Sequence, residues 1–111
     1  MDEHPTAPDP PRLAATPQVD AHARQLVVTM AHAVRPESVA MALLDALDET
    51  TGSYRLPALP RDDADTRLVA DIAKVRPGRY LVRVEVDGIS SVVQFEGGRI
   101  VGPSIFVPAF G

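Results

Sequence analysis

Residues 80–95 read YLVRVEVDGISSVVQF, in which apolar and polar side chains alternate on both sides of Asp87-Gly88. Asp-Gly between two alternating runs favours a two-residue type I′ turn, because both central residues of that turn adopt positive φ. The stretch therefore predicts an antiparallel β-hairpin. Its register pairs Val86 with Ile89, Val84 with Ser91, Val82 with Val93 and Tyr80 with Phe95, which puts seven apolar residues out of eight on one face. The other face receives the mostly polar set Leu81, Arg83, Glu85, Ser90, Val92 and Gln94.

Short apolar runs recur about every ten residues from residue 24 onward, and residues typical of turns separate them. This spacing predicts an all-β sandwich or barrel. The predicted strands are residues 24–30, 38–44, 53–59, 66–72, 79–86, 89–95 and 104–109. The turns between them include Pro77-Gly78, Asp87-Gly88, Gly97-Gly98 and Gly102-Pro103.

The first 22 residues have a different composition. Five prolines lie there among Asp, Ala and Thr, and such a segment buries too little apolar surface to offset the entropy lost on ordering. We predict a disordered, semi-rigid leader over residues 1–22 and a folded domain over residues 23–111. We expect this leader to tether the domain to a larger protein or a neighbouring subunit.

Residues 36–49, PESVAMALLDALDE, fit either of two secondary structures. Pro36 suits the first position of a helix, Glu37 suits its first turn, and the apolar residues after them have helical spacing. The same apolar stretch also fits a strand that is buried on both faces, and its neighbours on both sides are predicted strands. The residues by themselves leave both alternatives open.

The run VADIAKVRPGRYLVRVEVDG, residues 69–88, resembles the E strand, E–F corner and F strand of immunoglobulin-like domains. In that fold a Pro-Gly turn precedes a tyrosine that opens the next strand, and Pro77, Gly78 and Tyr80 occupy these positions. The resemblance implies that the Tyr80 hydroxyl bonds to the backbone a few residues upstream. Val82 stands where antibody domains carry their second cysteine, so the sandwich is expected to hold without that disulfide. We predict an immunoglobulin-like antiparallel sandwich of about seven strands.

A narrower similarity extends from about residue 24 to the C-terminus. An opening apolar strand, VRPESVAMALLD at 34–45, PGRYLVRVEVDGISS at 77–91 and GPSIFVP at 102–108 follow one another. This succession resembles the accessory immunoglobulin-like domain of cap, or tube-terminator, proteins of phage-tail-like bacterial contractile injection systems. In that family the block at residues 38–44 is a strand, which favours strand here. The resemblance implies a structural protein whose partners are tube, sheath or cap subunits, or further copies of itself.

Charge and composition argue against several classes of function. Lys and Arg number 11 against 15 Asp and Glu, so the net charge is −4 and no basic field attracts nucleic acid. Aromatic residues make up 5% of the chain, which predicts an aliphatic core. The chain has no cysteine, its first residues are acidic and proline-broken, and no run approaches the roughly 20 apolar residues of a membrane span. We therefore expect a cytoplasmic protein with neither a nucleic acid nor a membrane as partner.

Two groups of side chains could suggest a metal site. Asp62, Asp63 and Asp65 form an acidic loop, but it lacks the turn glycine of a calcium loop, and Lys74 stands at the twelfth position counted from Asp63. The histidines have no metal-binding spacing; they are His4, His22 and His32. We predict a solvated acidic loop, surface histidines and no metal or cofactor.

Candidate catalytic residues are also better explained by structure. The serines Ser53, Ser90, Ser91 and Ser104 lie outside any G-x-S-x-G motif, and Ser90 and Ser91 fit hairpin positions. The carboxylates Asp45, Asp48 and Glu49 fit a solvated turn. The arginines Arg76, Arg79 and Arg83 precede Glu85 and Asp87, which indicates an ion-paired face. We predict that the chain is not an enzyme.

The last predicted strand carries the apolar residues Ile105, Phe106, Val107 and Phe110, and Pro108 restricts it to the edge of a sheet. We predict that this tail packs on the sandwich or on a partner chain and forms an interaction edge. The alternative is a free-standing domain that binds carbohydrate or a cell-surface protein. The lack of Trp and the presence of two tyrosines, Tyr54 and Tyr80, argue against stacking on sugars.

Overall fold

The computed structural model describes residues 10–47, 52–91 and 94–110, and all regular structure in these ranges is β-strand. The strands are β1 (Gln18–Asp20), β2 (Gln25–Val34), β3 (Ala40–Ala46), β4 (Ser53–Pro57), β5 (Asp65–Asp71), β6 (Gly78–Val86), β7 (Ile89–Ser90), β8 (Gln94–Glu96), β9 (Arg99–Gly102) and β10 (Ser104–Val107). Within the described ranges no helix is long and apolar enough to cross a bilayer.

The main strands form two antiparallel sheets. One sheet has the order β1-β2-β5 and the other the order β10-β6-β3-β4, while β7 pairs with β6 and β8 pairs with β9. Alternate residues of both sheets meet in one buried cluster, in which Leu26 and Val28 of β2 lie together with Leu44, Val82 and Val84. The predicted immunoglobulin-like sandwich is therefore confirmed. Its core is aliphatic, and Tyr80 is the aromatic residue that the described core contains.

The stretch that fits both helix and strand is a strand. β3 lies between β6 and β4, with Leu44 opposite Val82 on one side and Tyr54 on the other. Hydrogen bonds to two neighbouring strands satisfy its backbone, and this tertiary pairing outweighs the helical propensity of the segment. Asp48 and Glu49 lie outside the described residues.

Part of the predicted leader belongs to the first sheet. β1 pairs with β2, with Gln18 opposite Val27, and Leu13 forms an isolated bridge with Met30. Leu13 and Val19 pack against the core cluster. The ordered strands therefore begin before residue 23, where the sequence predicts the domain to start, because two apolar side chains anchor this polar segment. Residues 1–9 of the leader lie outside the described residues.

The predicted turn of the central hairpin is present. Asp87 and Gly88 have φ of 51° and 86°, and Val86 is opposite Ile89 as expected. The second arm of the hairpin ends early, at Ser91. The Ser91 N–H donates to the Val84 carbonyl at 2.7 Å, but the Val84 N–H donates to the Ser91 hydroxyl at 2.9 Å. The side chain completes this pair in place of the backbone carbonyl, and the chain then leaves β6.

Of the predicted strand 89–95, Ile89 and Ser90 form β7, Val92 lies outside the described residues, and the predicted pairing of Phe95 with Tyr80 is wrong. β10 pairs with the remaining half of β6, so that Ile105 is opposite Tyr80 and the Pro103 carbonyl accepts the Val82 N–H at 2.8 Å. Val93 lies outside the described residues, and Phe95 belongs to β8, which pairs with β9. β10, which is distant in sequence, occupies the position beside Tyr80 that the predicted hairpin register assigned to Phe95. The turn by itself does not predict this pairing.

The two sheets are joined by hydrogen bonds along one side. After β4, the Ala58 N–H donates to the Ala40 carbonyl of β3 at 2.9 Å, and the next N–H, of Leu59, donates to the Val69 carbonyl of β5 at 2.7 Å. Ala58 also forms a bridge with Ala70 of β5. We call this junction the Ala58 seam.

Candidate functional site

The outer face of the β10-β6-β3-β4 sheet has two parts. The first, the sealed half, consists of Met41, Leu43, Arg55, Arg83 and Glu85. Leu43 of β3 lies between Arg55 of β4 and Arg83 of β6. Arg55 contacts Glu85 at 3.0 Å and Arg83 contacts Asp45 at 3.0 Å, so two diagonal ion pairs flank Leu43. Leu43 is only 5% exposed although it lies outside the core cluster.

The second part, the open patch, consists of Leu47, Arg79, Leu81 and Phe106. The Leu47 N–H donates to the Arg79 carbonyl at 3.0 Å, and Phe106 is opposite Arg79 on the other side. Residues directly opposite one another share a face, so these three side chains form one row and Leu81 lies in the next. Phe106 is 59% and Leu47 is 49% exposed. No carboxylate of the described residues forms an ion pair with Arg79.

The predicted interaction edge is divided between core and surface. Ile105 and Val107 are buried in the core cluster, whereas Phe106 faces the solvent. Phe110 is half-buried against the core, and its ring lies 5.7 Å from the guanidinium carbon of Arg24. The tail therefore packs on its own sandwich, and β10 lies at the edge of its sheet, as Pro108 predicts.

The turn before β6 is the tyrosine corner that the resemblance implies. Tyr80 is fully buried, and its hydroxyl donates to the Arg76 carbonyl at 2.7 Å, four residues upstream. Pro77 lies between them, and Gly78 opens β6. The corner fixes where β6 begins, and hence the register of the row that carries the open patch.

A second tyrosine completes this corner, and sequence reasoning missed it. The Arg76 N–H donates to the Tyr54 hydroxyl of β4 at 3.2 Å. The two tyrosine rings are edge-to-face, with centroids 5.9 Å apart and an interplanar angle of 70°. Both backbone groups of Arg76 are therefore bonded to tyrosines from different strands. Neither ring is left as a flat, exposed platform for a sugar.

Two side chains hold the loop between β2 and β3. The Asp87 carboxylate accepts the Val39 N–H at 2.8 Å while the Asp87 N–H donates to the Val39 carbonyl at 2.8 Å. From the other side, the Arg61 guanidinium donates to the carbonyls of Arg35 and Ser38 at 2.8 and 3.0 Å. Asp87 and Gly88, predicted as structural residues, thus form both the turn and a brace for this loop.

A family model matches nearly the whole of this sandwich. The family is described as Domain of unknown function (DUF8756), and the model matches residues 5–107, ending at the last residue of β10. The chain belongs to this family. The match includes the residues that precede β1, so the family pattern covers part of the predicted leader as well as the sandwich. No curated protein and no solved structure matches the chain.

In this DUF8756 member, the residues considered for metal binding are dispersed. Over residues 10–47, 52–91 and 94–110, no three His, Asp or Glu side chains are grouped so that they could hold a metal ion. The three aspartates of the loop 62–65 line an open cleft of about 480 Å³ that also contains Arg61 and Arg67. The Asp65 carboxylate accepts the Arg67 N–H at 2.9 Å. His22 and His32 are exposed on different elements, and His4 lies outside the described residues.

The residues considered for catalysis have structural partners or stand apart. Ser91 is buried and bonded to Val84, and Asp45 is paired with Arg83. Ser53 is exposed on β4, Ser90 lies on β7 and Ser104 on β10. Of the predicted ion-paired face, Arg83 is paired with Asp45 of β3 and Glu85 with Arg55 of β4, whereas Arg76 and Arg79 form no ion pair with a described carboxylate.

A second cleft, of about 310 Å³, lies between the leader, the end of β2 and the hairpin turn. Arg12, His32 and Arg35 line it together with an apolar wall that includes Met30 and Ile89. All three basic residues are exposed. The cleft is open to solvent on the basic side and has no catalytic constellation among the described residues that line it.

Proposed function

We propose that the chain is a non-catalytic structural and protein-interaction module, and that the open patch is the surface that binds its partner. The observation that carries this proposal is the 59% exposure of Phe106 on an otherwise well-buried strand. An exposed apolar patch with polar surroundings is typical of a protein–protein interaction site. Apolar side chains left in contact with water gain free energy when a partner covers them.

The composition of the open patch supports a protein partner. Phe106 offers an aromatic anchor and Arg79 offers a guanidinium beside it; Leu47 lies on the other side of Arg79, and Leu81 adds apolar surface in the next row. Aromatic residues and arginine are enriched at the centres of protein interfaces. The sealed half next to it, with its two ion pairs, offers no such anchor.

For the identity of the partner we propose tube, sheath or cap subunits of a cytoplasmic, phage-tail-like contractile injection system. This part rests on the sequence similarity of residues 34–45, 77–91 and 102–108 to the accessory domain of cap proteins. Fold and function are separate properties, so this assignment needs its own test.

The experiment is affinity purification of the full chain from its native cell, followed by mass spectrometry and electron microscopy of what accompanies it. We expect tube, sheath or cap proteins with the unchanged chain, and their loss with Leu47→Lys, which puts a charge into the open patch. Val39→Lys is the matched control, because Val39 is 66% exposed and lies beside Asp87, away from the patch. Equal recovery with both variants would count against the open patch, and recovery of unrelated proteins alone would count against the injection-system assignment.

A further inference from the structure

The outer edge of β10 carries backbone groups that the fold does not use. The Pro103 carbonyl accepts the Val82 N–H, and Ile105 is opposite Tyr80. Because hydrogen-bonded residues alternate along an antiparallel strand, Ser104 and Phe106 direct their N–H and C=O groups away from β6. β1 approaches this edge but pairs only with β2. Among the described residues, no backbone group bonds to the outer edge of β10.

The strands β1, β4 and β5, which are the other outermost strands in the orders β1-β2-β5 and β10-β6-β3-β4, carry features that oppose pairing with another chain. β4 has Arg55 and Pro57, and it crosses to the other sheet at the Ala58 seam. β5 has a charged residue at each end, Asp65 and Asp71, and β1 ends in Asp20. Charged residues and proline are the usual protection of a sheet edge. The sequence of β10, SIFV, contains neither.

We propose that β10 pairs antiparallel with β10 of a second copy of this chain, about a twofold axis. The argument for a second copy is electrostatic, because a twofold axis brings each edge against itself. Self-pairing through β4 or β5 opposes like charges across the junction, which is unfavourable. β10 brings no charge against its own copy, so its edge can pair with itself without repulsion between like charges.

The register follows from which residues point outward. Phe106 of each copy lies opposite Ser104 of the other, and the two Ile105 residues face each other at the axis. Four N–H to C=O hydrogen bonds then form, from two residues in each copy. The ring of Phe106 lies beside the partner's Ser104, which is opposite the partner's Leu81 in its own sheet. The two four-stranded sheets become one, and the two open patches become continuous across the junction.

This pairing deepens the proposed function, on which it rests, by naming one partner of the module. It also gives the small serine at position 104 a role, since a large side chain there would collide with the incoming Phe106 ring. The dimer joins short strands, so we expect it to be weak and concentration-dependent.

The test is sedimentation equilibrium of the full chain at concentrations up to about 1 mM, the weak end of specific association. We expect the unchanged chain to dimerise. Phe106→Pro removes an N–H that bonds to no described backbone group. A twofold dimer contains this N–H once in each copy, so the variant loses two hydrogen bonds. Compared with Phe106→Ala, which removes the same ring but keeps the N–H, Phe106→Pro should weaken dimerisation about thirtyfold, from the loss of those two bonds. Ser53→Pro, which removes an outward N–H from β4, is the matched control and should dimerise like the unchanged chain.

A second measurement does not depend on the folding of any variant. In the ¹⁵N-labelled unchanged chain, the amide resonances of Ser104 and Phe106 should shift with concentration, while those of β4 stay constant. A monomer at all concentrations, or a dimer that Phe106→Pro leaves intact, overturns the second copy as the partner. If the chain is monomeric, the second-copy proposal is overturned; capture of another protein that survives Phe106→Ala but not Phe106→Pro would then assign the edge to a strand of that protein. The two proposals can fail separately. If the chain does not dimerise but Leu47→Lys still abolishes capture of a partner, the second-copy proposal fails and the proposed function stands.

Discussion

The sealed half and the open patch lie on the same face of one sheet and share β6, but their leucines differ in exposure. Leu43 is 5% exposed and lies on the central strand β3 between Arg55 and Arg83, whose guanidinium groups pair with Glu85 and Asp45. Leu47 is 49% exposed, and among the described residues Arg79 has no carboxylate to hold it across the patch. On this face, the leucine that lies between two ion-paired arginines is buried, and the leucine that lies beside Arg79, just after the end of β3, is exposed. The uncovered part is where a partner has most to gain.

The largest expected difference between the two parts comes from the same change made in each. Leu43→Ala should lower the free energy of unfolding by about 3 kcal/mol, because it removes a buried side chain and leaves a cavity under the arginines. Leu47→Ala should change it by less than about 0.5 kcal/mol, since that side chain is already in water. Urea unfolding of both variants measures the two values. Equal losses would abolish the distinction between the sealed half and the open patch.

The corner beneath the open patch should give the next largest effect. Tyr80→Phe leaves the Arg76 carbonyl without the tyrosine hydroxyl, breaks a part-buried hydrogen bond and should cost about 1 kcal/mol. Tyr54→Phe removes a longer bond, of 3.2 Å, at a half-buried ring and should cost about half as much. Urea unfolding again gives both numbers. If Tyr80→Phe proves as stable as the unchanged chain, the corner does not hold the row that carries Phe106.

Ser91 marks the point on β6 where β7 gives way to β10. Ser91→Ala leaves the buried Val84 N–H without its acceptor and should cost about 1 kcal/mol. Ser90→Ala, on the neighbouring and half-buried position, should cost less than about 0.5 kcal/mol. Amide exchange should be faster at Val84 in Ser91→Ala and unchanged at Ile105. Unchanged exchange at Val84 would show that another acceptor serves this N–H.

The smallest effect concerns the ion pairs themselves. A double-mutant cycle over Arg55→Ala and Glu85→Ala should give a coupling of about 0.5 kcal/mol at low salt, because Arg55 is largely exposed. The coupling should fall towards zero at about 1 M salt, as screening removes it. The same cycle with Arg79→Ala in place of Arg55→Ala should give no coupling. A coupling that is insensitive to salt would mean that the arginine covers Leu43 by packing alone.

Local chemistry made part of this fold predictable. Asp87-Gly88 specifies its turn through positive φ at both residues, and Tyr80 follows its Pro-Gly turn at a fixed spacing, so both could be identified from adjacent residues. Alternation also identified the inner and outer faces of β6. In each case the deciding interaction spans only a few residues.

Long-range pairing could not be predicted in the same way. The residues 89–95 do not indicate that β7 pairs only with the end of β6 and that β10 pairs with its first half. β10 follows the β8–β9 hairpin in the chain. The place of Leu13 and Val19 along β2, and of Tyr54 at the corner, likewise depends on which elements the folded chain brings together. The exposure of Phe106 beside the buried Ile105 and Val107 follows from strand alternation only once β10 has been placed at an edge.

The Ala58 seam determines where the two sheets can separate in local opening. Hydrogen bonds from two adjacent residues, Ala58 and Leu59, join the two sheets along that side. On the opposite side, β1 and β10 approach each other but form no ladder. Transient opening should therefore begin between β1 and β10, while the sheets stay joined at the Ala58 seam. Amide hydrogen exchange should slow progressively from β1 and β10 towards Ala58. A strand from another chain would enter the sandwich between β1 and β10.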